Sequence, residues 1–211
     1  MKLQKENLLL YLITDNRWAT DTEPLYKQVE KAVISGVTIV QYREKNQMYF
    51  EQALKIKEIC KLHNIPFIIN DNPQLAKEID ADGVHVGQED MPVIKARKIL
   101  GENKIIGTSA HNVEEAKKAE QNGADYIGVG AVFGSNTKTN VAEMSPSLLK
   151  EIASSVSIPV VAIGGINENN IDLLQKTGIS GVAVISAILA KKDIETSAKV
   201  MRQKARGVVD G

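Results

Sequence analysis

The chain has 211 residues, 43% of them hydrophobic, which is enough apolar side chain for a core of ordinary globular size. Lysine plus arginine equals aspartate plus glutamate at 26 each, so no overall charge favours a nucleic-acid or a membrane partner. Cys60 is the only cysteine, which excludes an internal disulfide and fits a reducing cytoplasm. The apolar run at residues 8–13 is too short for a signal peptide or a membrane span. Composition therefore predicts a cytoplasmic protein without a membrane anchor.

Short apolar runs rich in β-branched residues alternate along the chain with segments of helical spacing. The predicted strands are residues 8–14, 38–43, 66–70, 83–86, 105–109, 126–129, 159–163 and 181–185. The predicted helices are residues 25–35, 49–63, 73–79, 91–100, 113–122, 145–154, 171–177 and 194–206. The strands are continuous apolar runs, which is typical of strands buried on both faces. Gly36, Gly123 and Gly178 stand where a left-handed residue ends a helix.

Strict alternation of strand and helix predicts a parallel sheet with right-handed crossovers, and eight such units can close into a barrel without an exposed edge. The rival is an open, doubly wound sheet, but the first predicted strand is not followed by the Gly-x-Gly-x-x-Gly fingerprint of a dinucleotide-binding sheet. The sequence therefore predicts an α/β protein in which residues 1–211 form a single (β/α)8 TIM-barrel domain.

The second predicted strand ends in basic and amide side chains. In such a barrel the active site lies at the carboxyl ends of the strands. Strand alternation puts Gln41 and Arg43 on one face, and Lys45 follows in the loop. A guanidinium fork and an ammonium group suit phosphate oxygens, although a cluster of this kind standing alone is more often a solvated turn.

Acidic side chains follow the next two strands. Asp71 ends the third strand, and Asp90 closes the Gly-Gln-Glu-Asp segment after the fourth. Magnesium takes hard oxygen ligands and often binds substrate phosphate as well, so this pair is a candidate Mg2+ site. The alternative makes Asp90 a helix N-cap and Asp71 a turn residue before Pro73.

The fifth strand places Ser109 at the rim, where its hydroxyl could bond a heterocycle or a phosphate. His111 or Asn112 is expected to cap the helix that follows. His85 lies inside an apolar strand, and it is expected to be a packed, hydrogen-bonded histidine rather than a catalyst.

Two further segments are candidate anion sites. The long polar loop 130–144 has the position of a binding loop or lid, although a mobile loop without function is the alternative. Residues 164–165 and 185–186, after the seventh and eighth strands, offer backbone amides where (β/α)8 barrels frequently hold a phosphate. Two anion sites and a metal pair on one rim predict a reaction between two phosphorylated small molecules, or a phosphate shift within one.

The strings QYREK, IINDN, GVHVGQED, GTSAH, ADYIGVG, NTK, PVVAIGGI and GVAVISAI occur in the order and approximate spacing of thiamine phosphate synthase motifs. The chain resembles that family over nearly its whole length, and QxRxK with ND and GQED is the diagnostic part. The resemblance implies a transferase that needs Mg2+. Its substrates would be 4-amino-5-hydroxymethyl-2-methylpyrimidine diphosphate and 4-methyl-5-(2-phosphooxyethyl)thiazole, or the carboxylated thiazole, and its products thiamine phosphate and pyrophosphate.

The resemblance also implies residue roles. The pyrimidine diphosphate would be bound by Gln41, Arg43, Lys45, Asn70, Ser109 and Lys138. The thiazole phosphate would contact Ser135, Asn136, Thr137, Gly165, Ile185 and Ser186. Mg2+ would be held by Asp71 and Asp90. Arg43, Ser109 and Lys138 would serve catalysis by positioning and by neutralising the leaving group, because the attacking ring nitrogen carries no proton.

One loop departs from the family pattern, and two other functions stay open. The family's GPxxxTxTK segment has Gly130-Ala131 in place of GP here, and Ser135 in place of the first Thr. A thiazole tautomerase on the same barrel could use His111, but it would not need the diphosphate-binding residues. A non-catalytic, regulatory phosphate-binding barrel would have no use for a metal pair. The sequence leaves the oligomeric state open, a homo-oligomer included.

Overall fold

The computed structural model describes residues 3–20, 22–44, 49–134 and 144–211. Eight parallel strands pair in sequence order, and the eighth pairs with the first, so the sheet is a closed barrel. The strands are β1 Leu10–Ile13, β2 Ile39–Tyr42, β3 Phe67–Asn70, β4 Gly83–Val86, β5 Ile105–Ala110, β6 Tyr126–Gly130, β7 Val160–Ile163 and β8 Gly181–Val184. The predicted (β/α)8 fold is confirmed, and the strand ends differ from the prediction by at most two residues.

Helices cover the outside of the barrel. They are α1 Leu25–Ile34, α2 Phe50–Leu62, α3 Pro73–Glu78, α4 Val93–Leu100, α5 Val113–Gln121, α6 Pro146–Ser154, α7 Ser186–Leu189 and α8 Ile194–Asp210. Short 3-10 turns lie at Lys5–Leu8, Asn16–Trp18 and Ile171–Leu174. Within the described ranges, no helix has both the length and the apolar character that a membrane crossing requires.

The seventh and the last helical segments differ from the prediction. The predicted helix over 171–177 is wrong beyond Leu174, because Gln175 is extended and Lys176 is left-handed, which turns the chain toward β8. The Thr177 hydroxyl donates to the Leu174 carbonyl and holds this turn. The tail helix is four residues longer than predicted and reaches Asp210, and Val208 in its added turn is buried.

The core has two parts. The larger lies between the outer face of the strands and the helices, and the smaller fills the barrel interior. Because side chains alternate along a strand, Leu10 and Leu12 of β1 face the helices, whereas Tyr11 and Ile13 face the barrel axis. The interior is therefore not purely apolar, because it includes the side chains of Tyr11 and Tyr126.

The amino-terminal ends of the strands are held by carboxylates. Asp125 Oδ2 accepts from Ile106 N and from Arg97 Nη2, both at 2.7 Å. Asp82 Oδ2 accepts from Phe67 N at 2.9 Å. Each carboxylate thus satisfies the amide of a neighbouring strand where the sheet begins. This end of the barrel carries stabilising contacts, and the opposite end carries the cavity.

Candidate active site

A cavity of about 240 Å3 opens at the carboxyl ends of the strands. Every predicted site residue that the structure describes lines it: Gln41, Arg43, Asn70, Asp71, Asp90, Ser109, Gly165, Ile185 and Ser186. Lys45, Ser135, Asn136, Thr137 and Lys138 lie outside the described residues. Side chains that are far apart in sequence thus meet at one end of the barrel, as strand alternation predicts.

The end of β2 is tied to the end of β1. Arg43 N donates to Thr14 Oγ1 at 2.8 Å, and Thr14 Oγ1 donates back to the Arg43 carbonyl at 3.2 Å. These bonds fix the backbone from which the Arg43 side chain reaches the cavity. Gln41 is almost fully buried, and its Nε2 donates to the hydroxyl of Tyr11 at 2.9 Å.

The acidic pair lies across the ends of β3 and β4. Asp71 has a left-handed backbone (φ 59°), and its amide donates to the His85 carbonyl at 2.8 Å. Asp90 Oδ2 accepts from Gly87 N at 2.9 Å. Burial, together with the charge and hydrogen bond of Asp90, raises the pKa of Asp71 to about 6. The two carboxyl groups therefore interact directly at the rim.

The helix-capping alternative for Asp90 is wrong. Helix α4 begins after Pro92 without a side-chain cap, and Asp90 bonds a glycine amide instead. Asp71 does occupy the turn before Pro73, but the side chain that caps α3 belongs to Asn72, whose Oδ1 accepts from Leu75 N. Among the described residues, no group of three or more His, Cys, Asp or Glu side chains is arranged to hold a metal, so the acidic site consists of a pair.

The opposite side of the cavity is built from close backbone packing. Gly164 and Gly165 both have positive φ, at 105° and 64°. A Cβ at residue 165 would lie 2.5 Å from the Gly134 carbonyl oxygen, so only glycine fits there. The Gly165 carbonyl accepts from the side-chain amides of Asn167 and Asn170, which hold the turn in place. Ile185 and Ser186 line the same side, where α7 begins.

The residues after β5 show which side chain caps helix α5. Asn112 caps α5, because its Oδ1 accepts from Glu115 N at 2.8 Å. His111 instead pairs with the Glu115 carboxylate through Nδ1, at 2.9 Å, and it also lines the cavity.

The sequence interpretation missed a polar network on the floor of the cavity. The hydroxyls of Tyr11 and Tyr126 are 2.7 Å apart, and the Tyr126 hydroxyl is 3.0 Å from His85 Nδ1. His85 Nε2 is 3.2 Å from Ser109 Oγ. His85 is hydrogen-bonded, as predicted, but it also lines the cavity. The sequence indicated this network only weakly. A tyrosine that faces the barrel interior needs a hydrogen-bond partner for its buried hydroxyl, but the sequence does not show which residue that partner is.

Comparison with known proteins identifies the family. A family model described as thiamine monophosphate synthase matches residues 10–188. The chain belongs to this family. It is 51% identical over 195 residues to a thiamine-phosphate synthase of Clostridium acetobutylicum, covering 91% of this chain and 92% of the relative. A thiamine-phosphate synthase of Methanobrevibacter smithii is 50% identical over 190 residues, covering 89% and 90%.

A solved structure supports the same membership. The thiamine phosphate pyrophosphorylase of Pyrococcus furiosus superposes with a TM-score of 0.88 at 36% identity, covering 97% of this chain and 98% of that one. The transferase function predicted from the resemblance to thiamine phosphate synthases is thereby confirmed. The thiazole tautomerase alternative is not favoured.

Proposed function

We propose that this member of the thiamine phosphate synthase family joins the aminopyrimidine diphosphate to the thiazole phosphate, plain or carboxylated, and releases pyrophosphate. The observation that carries the proposal is the composition of the one cavity described above. Arg43 and the Asp71–Asp90 pair line one side of it, and the glycine turn at Gly165 and the start of α7 line the other. Such a cavity can hold two phosphorylated molecules with their reacting ends toward each other.

The first side of the cavity suits the pyrimidine diphosphate. Arg43 offers a fork of donors to phosphate oxygens, and Lys45 and Lys138 are proposed to add charge there. Gln41, Asn70 and Ser109 are the neutral polar groups proposed to bind the pyrimidine. Gln41 is almost fully buried inside the barrel, whereas Arg43, two residues further along the chain, is partly exposed.

The acidic pair suits Mg2+. The charge of Asp90 raises the pKa of Asp71, which is unfavourable for the ionised pair in the free protein, and a bound divalent cation would relieve the repulsion. Asp71 and Asp90 would hold the ion, which supplies positive charge for the departing diphosphate. Since the pair provides few ligands, the remaining positions would be left for water and substrate oxygens.

The second side suits the thiazole phosphate. Gly165 brings backbone close to the cavity because no side chain fits there, and Ser186 adds a hydroxyl beside it. Ile185 offers apolar contact, and Ser135, Asn136 and Thr137 are proposed to complete this side. A small, backbone-rich surface of this kind is typical of phosphate sites in (β/α)8 barrels.

The reaction is a displacement at carbon. The thiazole ring nitrogen forms a bond to the methylene carbon of the pyrimidine, and the bond from that carbon to the diphosphate oxygen breaks. The electron pair leaves with pyrophosphate, so charge balances without a proton transfer. Arg43, Ser109 and Lys138 would position the diphosphate and stabilise its growing charge, which explains why the site needs no general base.

Further expectations follow from composition. We propose that residues 1–211 form a single domain and that the enzyme works in the cytoplasm, where the buried thiol of Cys60 would stay reduced. Balanced charge supports phosphorylated small molecules as ligands, rather than nucleic acid or a membrane. A homo-oligomer is compatible with these features.

The test is turnover by the purified protein given both substrates, with Mg2+ and then with EDTA. We expect thiamine phosphate and pyrophosphate in equal amounts, and only with the metal. Asp71→Asn should abolish this activity. Asp80→Asn is the matched control, because Asp80 has the same left-handed backbone (φ 53°) but pairs with Lys104 outside the cavity. Product in EDTA, or an active Asp71→Asn variant, would contradict the metal assignment.

A further inference from the structure

The network on the cavity floor joins two of the proposed substrate-binding residues. It runs from Gln41 through Tyr11, Tyr126 and His85 to Ser109, with heavy-atom separations of 2.9, 2.7, 3.0 and 3.2 Å. Every link has hydrogen-bond length. Gln41 is on β2 and Ser109 is on β5, so the network crosses the inside of the barrel.

The direction of this network follows from counting hydrogens. Gln41 donates its amide hydrogen to Tyr11, so the Tyr11 hydroxyl must send its own hydrogen elsewhere. Among the described residues the acceptor within reach is Tyr126, which in turn has His85 Nδ1 as its acceptor. Burial raises the pKa of both tyrosines, so each keeps its single hydrogen at neutral pH.

The same count sets the tautomer of His85. If Nδ1 accepts from Tyr126, it carries no proton, and the ring proton lies on Nε2. Nε2 then donates to Ser109 Oγ, and the hydroxyl hydrogen of Ser109 is directed elsewhere, toward the cavity that Ser109 lines. At the other end, Gln41 Oε1 accepts no hydrogen bond from any residue that the structure describes. The cavity therefore receives an acceptor from Gln41 and a donor from Ser109.

Glycine makes the central link geometrically feasible. His85 and Tyr126 are both register partners of Gly107, which lies on the strand between them. A Cβ at residue 107 would lie 2.1 Å from Tyr126 Cζ, so the ring occupies the space that a side chain would need. Gly128 plays a similar part beside His85, with its Cβ position 3.3 Å from Cε1. Glycines on β5 and β6 thus provide the space that the Tyr126 and His85 rings occupy inside the barrel.

We propose that Tyr11, Tyr126 and His85 are positioning residues, which fix the hydrogen-bond polarity that Gln41 and Ser109 present to the pyrimidine. The inference rests on the proposed placement of the pyrimidine at those two residues. An aminopyrimidine supplies the matching pair, because its exocyclic amine donates and its ring nitrogens accept. The network therefore favours a ligand that has both a hydrogen-bond donor and an acceptor, and it disfavours a ligand that offers two donors or two acceptors at these positions.

The first test reads the tautomer of His85 by nitrogen NMR of the free protein at pH 7.5. The chain has three histidines, so a His85→Gln variant assigns the signal. We expect a neutral ring with the proton on Nε2 and none on Nδ1. A proton on Nδ1 would overturn the proposal, because His85 would then donate to Tyr126 and accept from Ser109.

The second test separates the two substrates. Tyr126→Phe removes the central hydroxyl and keeps the ring, so we expect the KM for the pyrimidine diphosphate to rise about three- to tenfold, the loss of one net hydrogen bond. The KM for the thiazole phosphate should stay within about twofold. Tyr26→Phe on α1 is the control for a lost hydroxyl outside the barrel, and both KM values should be unchanged. Equal rises in both KM values, or no change, would overturn the proposal.

A third measurement keeps the proposal falsifiable if Tyr126→Phe folds poorly. Tyr11→Phe detaches only the Gln41 end, and it should raise the same KM while leaving the His85 tautomer intact. A Tyr11→Phe variant with a changed tautomer would contradict the stated direction. Wild-type protein without turnover would refute the proposed function, whereas the tautomer spectrum does not depend on turnover and would still decide the polarity.

Discussion

The acidic pair makes a prediction that combines pH, metal and stability. The folded state raises the pKa of Asp71 from 3.8 to about 6, first through burial and then through Asp90. The folded protein therefore binds this proton more tightly than the unfolded chain does. Its favourable contribution is fully present below pH 3.8 and is lost as the pH rises through 6. At neutral pH the ionised pair costs the metal-free protein stability.

The size of this cost can be bounded. A shift of about two pKa units corresponds to at most about 3 kcal/mol. Asp71 lies at an exposed rim, where solvent and salt screen the interaction, so we expect on the order of 1 kcal/mol. In a chain of this length that is about 2 to 4 °C in Tm. Mg2+ at a hundredfold excess over its Kd would add about 2.7 kcal/mol at neutral pH.

The assay is thermal unfolding at pH 5 and pH 7.5, each with EDTA and with Mg2+, for the wild type and for Asp90→Asn. In the wild type we expect Mg2+ to raise Tm strongly at pH 7.5 and weakly at pH 5, where protons compete for Asp71. Asp90→Asn removes the like charge, so its metal-free Tm should depend less on pH and respond less to Mg2+. A variant with the wild-type response to both would refute the repulsion between the two carboxylates.

Two further predictions concern opposite ends of the barrel. Gly165→Ala puts a Cβ 2.5 Å from the Gly134 carbonyl oxygen at a residue with positive φ. We therefore expect the KM for the thiazole phosphate to rise at least about tenfold, or about 1.4 kcal/mol, with little change in the KM for the pyrimidine diphosphate. Steady-state kinetics with each substrate varied in turn checks this. Asp125→Ala removes the acceptor of Ile106 N and the partner of Arg97, so the free energy of unfolding in urea should fall by about 2 kcal/mol while kcat/KM is kept. Lost activity without lost stability would contradict that role.

Much of the fold was predictable because a parallel barrel leaves a simple pattern. Strands buried on both faces are continuous apolar runs, and the intervening helices are bounded by glycines such as Gly123 with positive φ. The segment at residues 171–177 has apolar residues at helical spacing, but Lys176 adopts a left-handed backbone that the spacing does not reveal. Periodicity reports which side chains are buried together, and it does not report where the backbone must turn to reach the next strand.

The rim of the candidate site was also predictable, since charged residues directly after buried strands must gather at one end of the barrel. Its floor was not. Tyr11 and Tyr126 are 115 residues apart, and the sequence around either tyrosine does not indicate that the other is its hydrogen-bond partner. The two competing roles of Asp90 could not be separated either, because a carboxylate before a helix has the same sequence pattern whether it caps the helix or faces another acid.

One pattern could have pointed to the floor. Gly107 interrupts an apolar strand, although a glycine within a strand loses packing and weakens it, so the position calls for a close neighbour. In a parallel barrel that neighbour must come from β4 or β6, and His85 and Tyr126 are the residues in register there. A bulky, polar residue on each side of an inward-facing glycine therefore predicts a contact across the strand. In this barrel that contact carries a hydrogen bond, and it links the acceptor at Gln41 to the donor at Ser109 through side chains that need not touch the substrate themselves.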